Sequence, residues 1–132
     1  MPPDDTLSVL IVDDEVLVAM FMSDLVEDAG LAVAGVARDA ATALEQAAAT
    51  APAVALVDLN LRGADSGVAL ARRLTEAHGT AVILVSGEHG LAERPDIIAL
   101  APAGIVEKPF DPDAMIRTLQ TVAATARVPE KP

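Results

Sequence analysis

The chain has 132 residues, enough to close one hydrophobic core, and 52% of them are apolar. Nine basic residues against twenty acidic ones leave a formal net charge of -11, which repels phosphate backbones and anionic membrane surfaces and argues against nucleic acid as a direct partner. Cysteine is absent, which excludes disulfides, thiolate catalysis and thiolate metal sites, and the two aromatic residues, Phe21 and Phe110, are too few for a base-stacking platform.

Met1-Pro2-Pro3-Asp4-Asp5 lacks the basic region and apolar core of a signal peptide, and no later apolar run is long enough to span a bilayer. A cytoplasmic protein without membrane insertion is expected. Leu7 to Val12 reads as a buried strand that ends on the acids Asp13-Asp14. A helix follows from Glu15 to about Ala29, with Leu17, Phe21 and Leu25 on its inner stripe and Gly30 as its stop. Ala32 to Val36 is a second strand. Asp39 can cap a second helix reaching about Ala49, with Ala41, Leu44 and Ala48 facing in. After Pro52, the run Ala53 to Val57 leaves no polar face for water, reads as a strand buried on both faces, and stops at Asp58. A third helix starts near Asp65 or Ser66, carries Val68, Leu70, Leu74 and Ala77, and ends at His78-Gly79. Ala81 to Val85 is a fourth strand, ending at Ser86-Gly87. Pro95 opens a short helix to about Ala101 and leaves Gly87 to Arg94 as a loop. Gly104 to Glu107 is a fifth strand, ending at Lys108-Pro109. The last helix has Asp111 as cap, Pro112 at its first position and Met115, Ile116, Leu119 and Val122 facing in. Residues 1–6 and 127–132 read as tails around one domain with its core at about 7–126.

Strands alternating with helices at these spacings imply an α/β fold: a doubly wound, flavodoxin-like sheet of five parallel strands with helices on both faces. The second strand ends in Val36-Ala37-Arg38 without an evident polar role, whereas the others end in Asp13-Asp14, Asp58, Ser86 and Lys108. The order 2-1-3-4-5 puts that strand at an edge and gathers the other tips at one crevice, at the switch point where such sheets bind ligands.

Carboxylates brought together there repel one another, and a hard divalent cation, Mg2+ or Mn2+, resolves the repulsion in an oxygen-only site. Lys108 offers a compact positive charge to a phosphoryl oxygen and Ser86 a hydroxyl donor to another. Together these groups surround Asp58, whose carboxylate can accept a phosphoryl group as an acyl phosphate. Each piece alone has a plainer reading. Asp13-Asp14 could be helix-capping acids, Asp58 and Ser86-Gly87 ordinary turn residues, and Lys108 a solvated charge. His78 reads as a cation at a helix end and His89 as a solvated loop residue, so no zinc site is expected.

Val12-Asp13-Asp14, Asp58-Leu59-Asn60, Ser86-Gly87 and Glu107-Lys108-Pro109-Phe110, in this order and each at a strand end, resemble the signature of the receiver domain of two-component response regulators. The resemblance covers nearly the whole chain. It implies that Asp58 accepts phosphate from a histidine of a sensor histidine kinase or a histidine phosphotransfer protein. It further implies that Asp14, Asp58 and the backbone carbonyl of Asn60 bind Mg2+ directly, that Asp13 helps through water, and that Ser86 and Lys108 contact the phosphoryl group. In this family the peptide before the proline matching Pro109 is usually cis. Transfer and hydrolysis would be self-catalysed, and the output would pass to a downstream protein through a monomer or weak homodimer.

Three departures stand out. Ile105 occupies the place of a common aromatic switch residue, Ser86 stands where threonine is frequent, and Arg62 where proline is. Loop 87–94 and the short helix are expected to form the switching element. Val16 through Met22 are all apolar, so the first helix is greasier than one sheet face can cover, and an outward patch, with Val18 or Met22 in it, is expected to meet the phosphodonor. With no evident output segment after the last helix, a stand-alone receiver is expected. The alternatives are a phosphatase of the haloacid-dehalogenase type, which wants Asp-x-Asp after the first strand where this chain has adjacent acids, and a receiver-like binding module that takes no phosphate.

Overall fold

The inner strands are buried on both faces, with successive side chains feeding cores on opposite sides of the sheet. The computed structural model describes residues 7–60 and 67–127. In chain order the elements are β1 (Ser8–Val12), α1 (Val16–Asp28), β2 (Ala32–Ala37), α2 (Ala40–Thr50), β3 (Val54–Asp58), α3 (Gly67–His78), β4 (Ala81–Ser86), α4 (Pro95–Leu100), β5 (Gly104–Glu107) and α5 (Pro112–Arg127). The strands pair in parallel in the order β2-β1-β3-β4-β5. This is the expected flavodoxin-like α/β sheet.

Because successive side chains point to opposite faces, each inner strand feeds two cores. Val9, Ile11, Val54, Leu56, Ile83 and Val85 pack with Met22, Leu25 and Val26 of α1 and Met115, Leu119 and Val122 of α5. Leu10, Val12, Ala55, Val57, Val82 and Leu84 pack with Ala43 and Ala47 of α2, Leu70 and Leu74 of α3 and Ile97 of α4. β3 is buried along its whole length. No helix among the described residues is long and apolar enough to cross a membrane.

The helix boundaries follow local chemistry. Asp39 Oδ1 accepts from Thr42 N at 2.8 Å, Asp111 Oδ2 accepts from Ala114 N at 3.1 Å, and both acids serve as the expected caps. Gly30 and Gly79, the expected stops, adopt φ of 86° and 66°, where a Cβ is strained. The predicted start of α3 at Asp65 or Ser66 lies outside the described residues, as does Arg62.

Two inner stripes differ from expectation. On α1 the buried residues are Ala19, Met22, Leu25 and Val26, while Leu17 is 79% and Phe21 44% exposed. On α2 they are Ala40, Ala43 and Ala47, with Leu44 partly buried and Ala41 and Ala48 exposed. The reasons differ: on α1 the run Val16 to Met22 is apolar all round and has no polar side to phase it, whereas on α2 Thr42, Glu45 and Gln46 mark the side away from Ala40 and Ala47, a signal that the surrounding alanines obscure. On α3, Leu70 and Leu74 are buried as expected but Ala77 is exposed. α5, whose polar and apolar residues alternate cleanly, buries Met115, Leu119 and Val122 with Ile116 packed partly against them. Gly87 to Arg94 is more structured than a plain loop. It contains a single 3-10 turn at Leu91–Glu93, and Leu91 is fully buried.

Candidate functional site

Register brings the strand ends to one level. Val12 pairs with Val57, Asp58 with Val85, and Ser86 with Glu107, so the residues that follow, Asp13 beside Asp58 and Lys108 beside Ser86, emerge along one edge. Backbone bonds extend the ladder past the strands: Asp13 N donates to Ala37 O, Leu59 N to Val85 O and Lys108 N to Ser86 O. Asp13, Asp14, Asp58, Ser86 and Lys108 therefore meet where the sequence places them, with Asn60 two residues beyond Asp58.

One oxygen from each of Asp13, Asp14 and Asp58 lies within 4.8 Å of the others. Asp13 and Asp58 are buried, and Asp14 is half-buried. The ammonium of Lys108 is shared, 3.8 Å from Asp13 Oδ2 and 3.7 Å from Asp58 Oδ2. One cation between two buried carboxylates leaves net negative charge even before Asp14 is counted. Each of the two carboxylates also accepts a backbone bond two residues on: Asp13 Oδ1 from Glu15 N at 2.8 Å, Asp58 Oδ1 from Asn60 N at 3.0 Å. These Asx turns fix both carboxylate orientations.

The second oxygen of Asp13, Oδ2, is buried with no hydrogen-bond partner. Burial raises the pKa of Asp13 above 3.8; the Glu15 N–H opposes this, the charge of Asp58 adds to it, Lys108 lowers it, and Glu15 adds a smaller push upward. A desolvated oxygen without a donor beside two more carboxylates is the environment that a hard divalent cation satisfies, and the all-oxygen donor set suits Mg2+ or Mn2+.

Ser86 is fully buried and its Oγ accepts from Glu88 N at 3.0 Å, which leaves the hydroxyl proton free for an acceptor. The Lys108-Pro109 peptide is cis, as the resemblance implied. Ile105 is half-buried against the α2, α3 and α4 side of the core. His89 Nδ1 lies 3.4 Å from Glu107 Oε1 at the surface rather than standing alone in solvent.

Two residues near the site escaped the sequence reading. Arg94 bonds Glu88 Oε1 at 3.0 Å and both carboxylate oxygens of Asp96, joining the loop after Ser86 to the first turn of α4. Only the short spacing of opposite charges hinted at it. Gly67 begins α3 directly on the backbone of Asp58 and Leu59, and its signal was a lone glycine at a helix start.

The apolar excess on α1 is exposed, with Val16 at 61%, Leu17 at 79% and Met20 at 59%. The outward positions are these rather than Met22, which is fully buried, or Val18, which is partly buried. Phe21 stacks on Phe110, ring centroids 5.7 Å apart, and the pair lines an apolar hollow of about 400 Å³ with Val18, Pro109 and Lys108.

Known proteins are similar to this chain in sequence and in fold. A regulator named PhyR, phyllosphere-induced, from Methylorubrum extorquens is 34% identical over 113 residues, covering 83% of this chain and 40% of that protein. A protein-glutamate methylesterase/protein-glutamine glutaminase from Archaeoglobus fulgidus is 30% identical over 119 residues, covering 89% of this chain and 33% of that protein. Among solved structures, the signal receiver domain of a modulated diguanylate cyclase from Desulfovibrio desulfuricans G20 superposes with a TM-score of 0.83 at 28% identity, covering 92% of this chain and 97% of that one. The chain spans from 27% to 40% of the lengths of four such curated relatives. The pattern of the response regulator receiver domain matches residues 9–120, which sets aside the haloacid-dehalogenase alternative: the chain belongs to the response regulator receiver family of two-component systems.

Proposed function

We propose that this receiver takes a phosphoryl group from a phosphohistidine of a sensor histidine kinase or histidine phosphotransfer protein onto Asp58. The observation that carries the reading is the gathering of Asp13, Asp14 and Asp58 within 4.8 Å beside a shared Lys108. Asp13, Asp14, Asp58 and the carbonyl of Asn60 would hold Mg2+. That ion, when bound, supplies charge neutralisation for the carboxylates and the phosphoryl oxygens.

A carboxylate oxygen of Asp58 attacks phosphorus as the P–N bond to imidazole breaks, and the electron pair of that bond stays on the imidazole nitrogen. Lys108 follows the charge from the carboxylate to the phosphoryl oxygens. Ser86 donates its hydroxyl proton to another phosphoryl oxygen while still accepting from Glu88 N, and that shared bond couples the phosphoryl group to the loop leading into α4. Hydrolysis returns the carboxylate when water attacks the same phosphorus, near Asn60 and Glu88. Loop 87–94 with α4 then serves as the switching element, and a downstream protein reads it.

The exposed apolar face of α1, beside Asp13 and Asp14, is the docking ledge for the phosphodonor. It exposes Val16, Leu17 and Met20, which the fold has no need to leave in water.

Intact mass after incubation with acetyl phosphate tests the reading. One phosphoryl group should be gained with Mg2+, lost in base and absent in Asp58→Asn. No gain by the native chain with Mg2+ would instead favour a receiver-like module that takes no phosphate.

A further inference from the structure

We propose that Gly67 is a positioning residue of the acceptor site, and that the absence of a side chain there sets the direction in which Asn60 leaves β3. This rests on the reading of Asp58 as acceptor and of the Asn60 carbonyl as a metal ligand. A Cβ built on Gly67 would lie 2.7 Å from Asp58 O, 2.7 Å from Leu59 Cα and 2.8 Å from Leu59 O. All three are backbone atoms, so no rotamer change can make room, and separations under 3 Å force either the loop or the helix to move.

The contact is also bonded. Leu59 N donates to Val85 O at 2.9 Å and Leu59 O accepts from Gly67 N at 3.3 Å, so the two polar groups of this residue are held from opposite directions, by β4 and by α3. The Leu59 side chain is buried as well. Asn60, which follows, donates its N–H back to Asp58 Oδ1. A methyl group at Gly67 displaces the Leu59 carbonyl and, through it, both the Asp58 carboxylate and the Asn60 carbonyl. Groups that orient metal ligands without touching the ion commonly matter this much for affinity.

Gly104 is the natural control. It lies in β5 behind the site, and its added Cβ would meet side chains alone, Thr118 Cγ2 at 3.3 Å and Ile83 Cγ1 at 3.5 Å. Calorimetric titration with Mg2+ and acetyl phosphate labelling should be run on the native chain, Gly67→Ala and Gly104→Ala, with circular dichroism on each. The expected result is a Mg2+ dissociation constant raised about tenfold in Gly67→Ala, with slowed labelling, while Gly104→Ala matches the native chain. Equal Mg2+ affinity in folded Gly67→Ala would overturn the proposal.

Should Gly67→Ala not fold, amide hydrogen exchange on the native chain decides. Linkage requires that an ion held through the Leu59 turn protects the Gly67 amide, by about tenfold when Mg2+ is near ten times its dissociation constant. An unchanged Gly67 amide would refute the positioning role. A native chain that takes neither Mg2+ nor phosphate would refute the acceptor reading itself, a separate failure.

Discussion

Helices α1 and α5 lie side by side on the same face of the sheet, yet they use their apolar residues in opposite ways. α5 buries Met115, Leu119, Val122 and Ala123 and leaves its polar residues to solvent. α1 buries Ala19, Met22, Leu25 and Val26 and still leaves Val16, Leu17 and Met20 largely in water, with Phe21 partly covered by Phe110. The first pattern is what folding alone asks for. The second carries apolar surface that the fold does not need, next to Asp13 and Asp14, and it is the surface proposed above to meet the phosphodonor. The entries differ too. α5 is capped by the exposed Asp111, whereas the turn into α1 is made by Asp13, a buried acid of the site.

The largest expected effect separates the two helices by stability. Leu119→Ala, which empties a fully buried position, should cost about 3 kcal/mol in urea unfolding, while Leu17→Ala should stay within about 0.5 kcal/mol. A comparable loss from Leu17→Ala would mean that the α1 face is structural after all.

Function should show the reverse order. Leu17→Glu is expected to slow phosphotransfer from a cognate kinase about tenfold while labelling by acetyl phosphate stays native; equal loss of both would point away from docking.

The two entry acids sharpen the contrast. Asp111→Ala should cost about 1 kcal/mol and leave Mg2+ binding untouched. Asp13→Asn should weaken Mg2+ binding and yet raise the thermal midpoint of the metal-free protein at neutral pH. Burial lifts the folded-state pKa of Asp13 above 3.8, so the folded form holds that proton more tightly than the unfolded form. Its contribution to metal-free stability is complete below 3.8 and is lost as pH rises through the raised value. A pH series on the metal-free chain and on Asp13→Asn should show that difference, and a lower midpoint for the variant would contradict it.

The smallest effect joins α1 to the segment that leads into α5. A double-mutant cycle on Phe21 and Phe110, stacked at 5.7 Å, should return a coupling of about 1 kcal/mol or less.

Much of the site was legible before folding. Asp13-Asp14, Asp58, Ser86 and Lys108 each follow an apolar run, and parallel strands of such length bring their ends to one level without further instruction. Gly67 was not legible, because its constraint is a contact with Asp58 and Leu59 that exists only once α3 has packed. Nor was Arg94, whose partners Glu88 and Asp96 look in sequence like ordinary surface charges.

By itself, the sequence determined the elements, the parallel order β2-β1-β3-β4-β5 and the identity of the residues at the strand tips, since strand length, caps and alternation are local properties. It also settled the inner face of α5, where polar residues mark the outside. Only the tertiary structure decided which side of the apolar first half of α1 is covered, the sharing of Lys108 between Asp13 and Asp58, and the seating of Gly67 on the backbone of Asp58 and Leu59. Each of these depends on distances between segments far apart in the chain, and an apolar run such as Val16 to Met22 carries no mark of which side its neighbours will take.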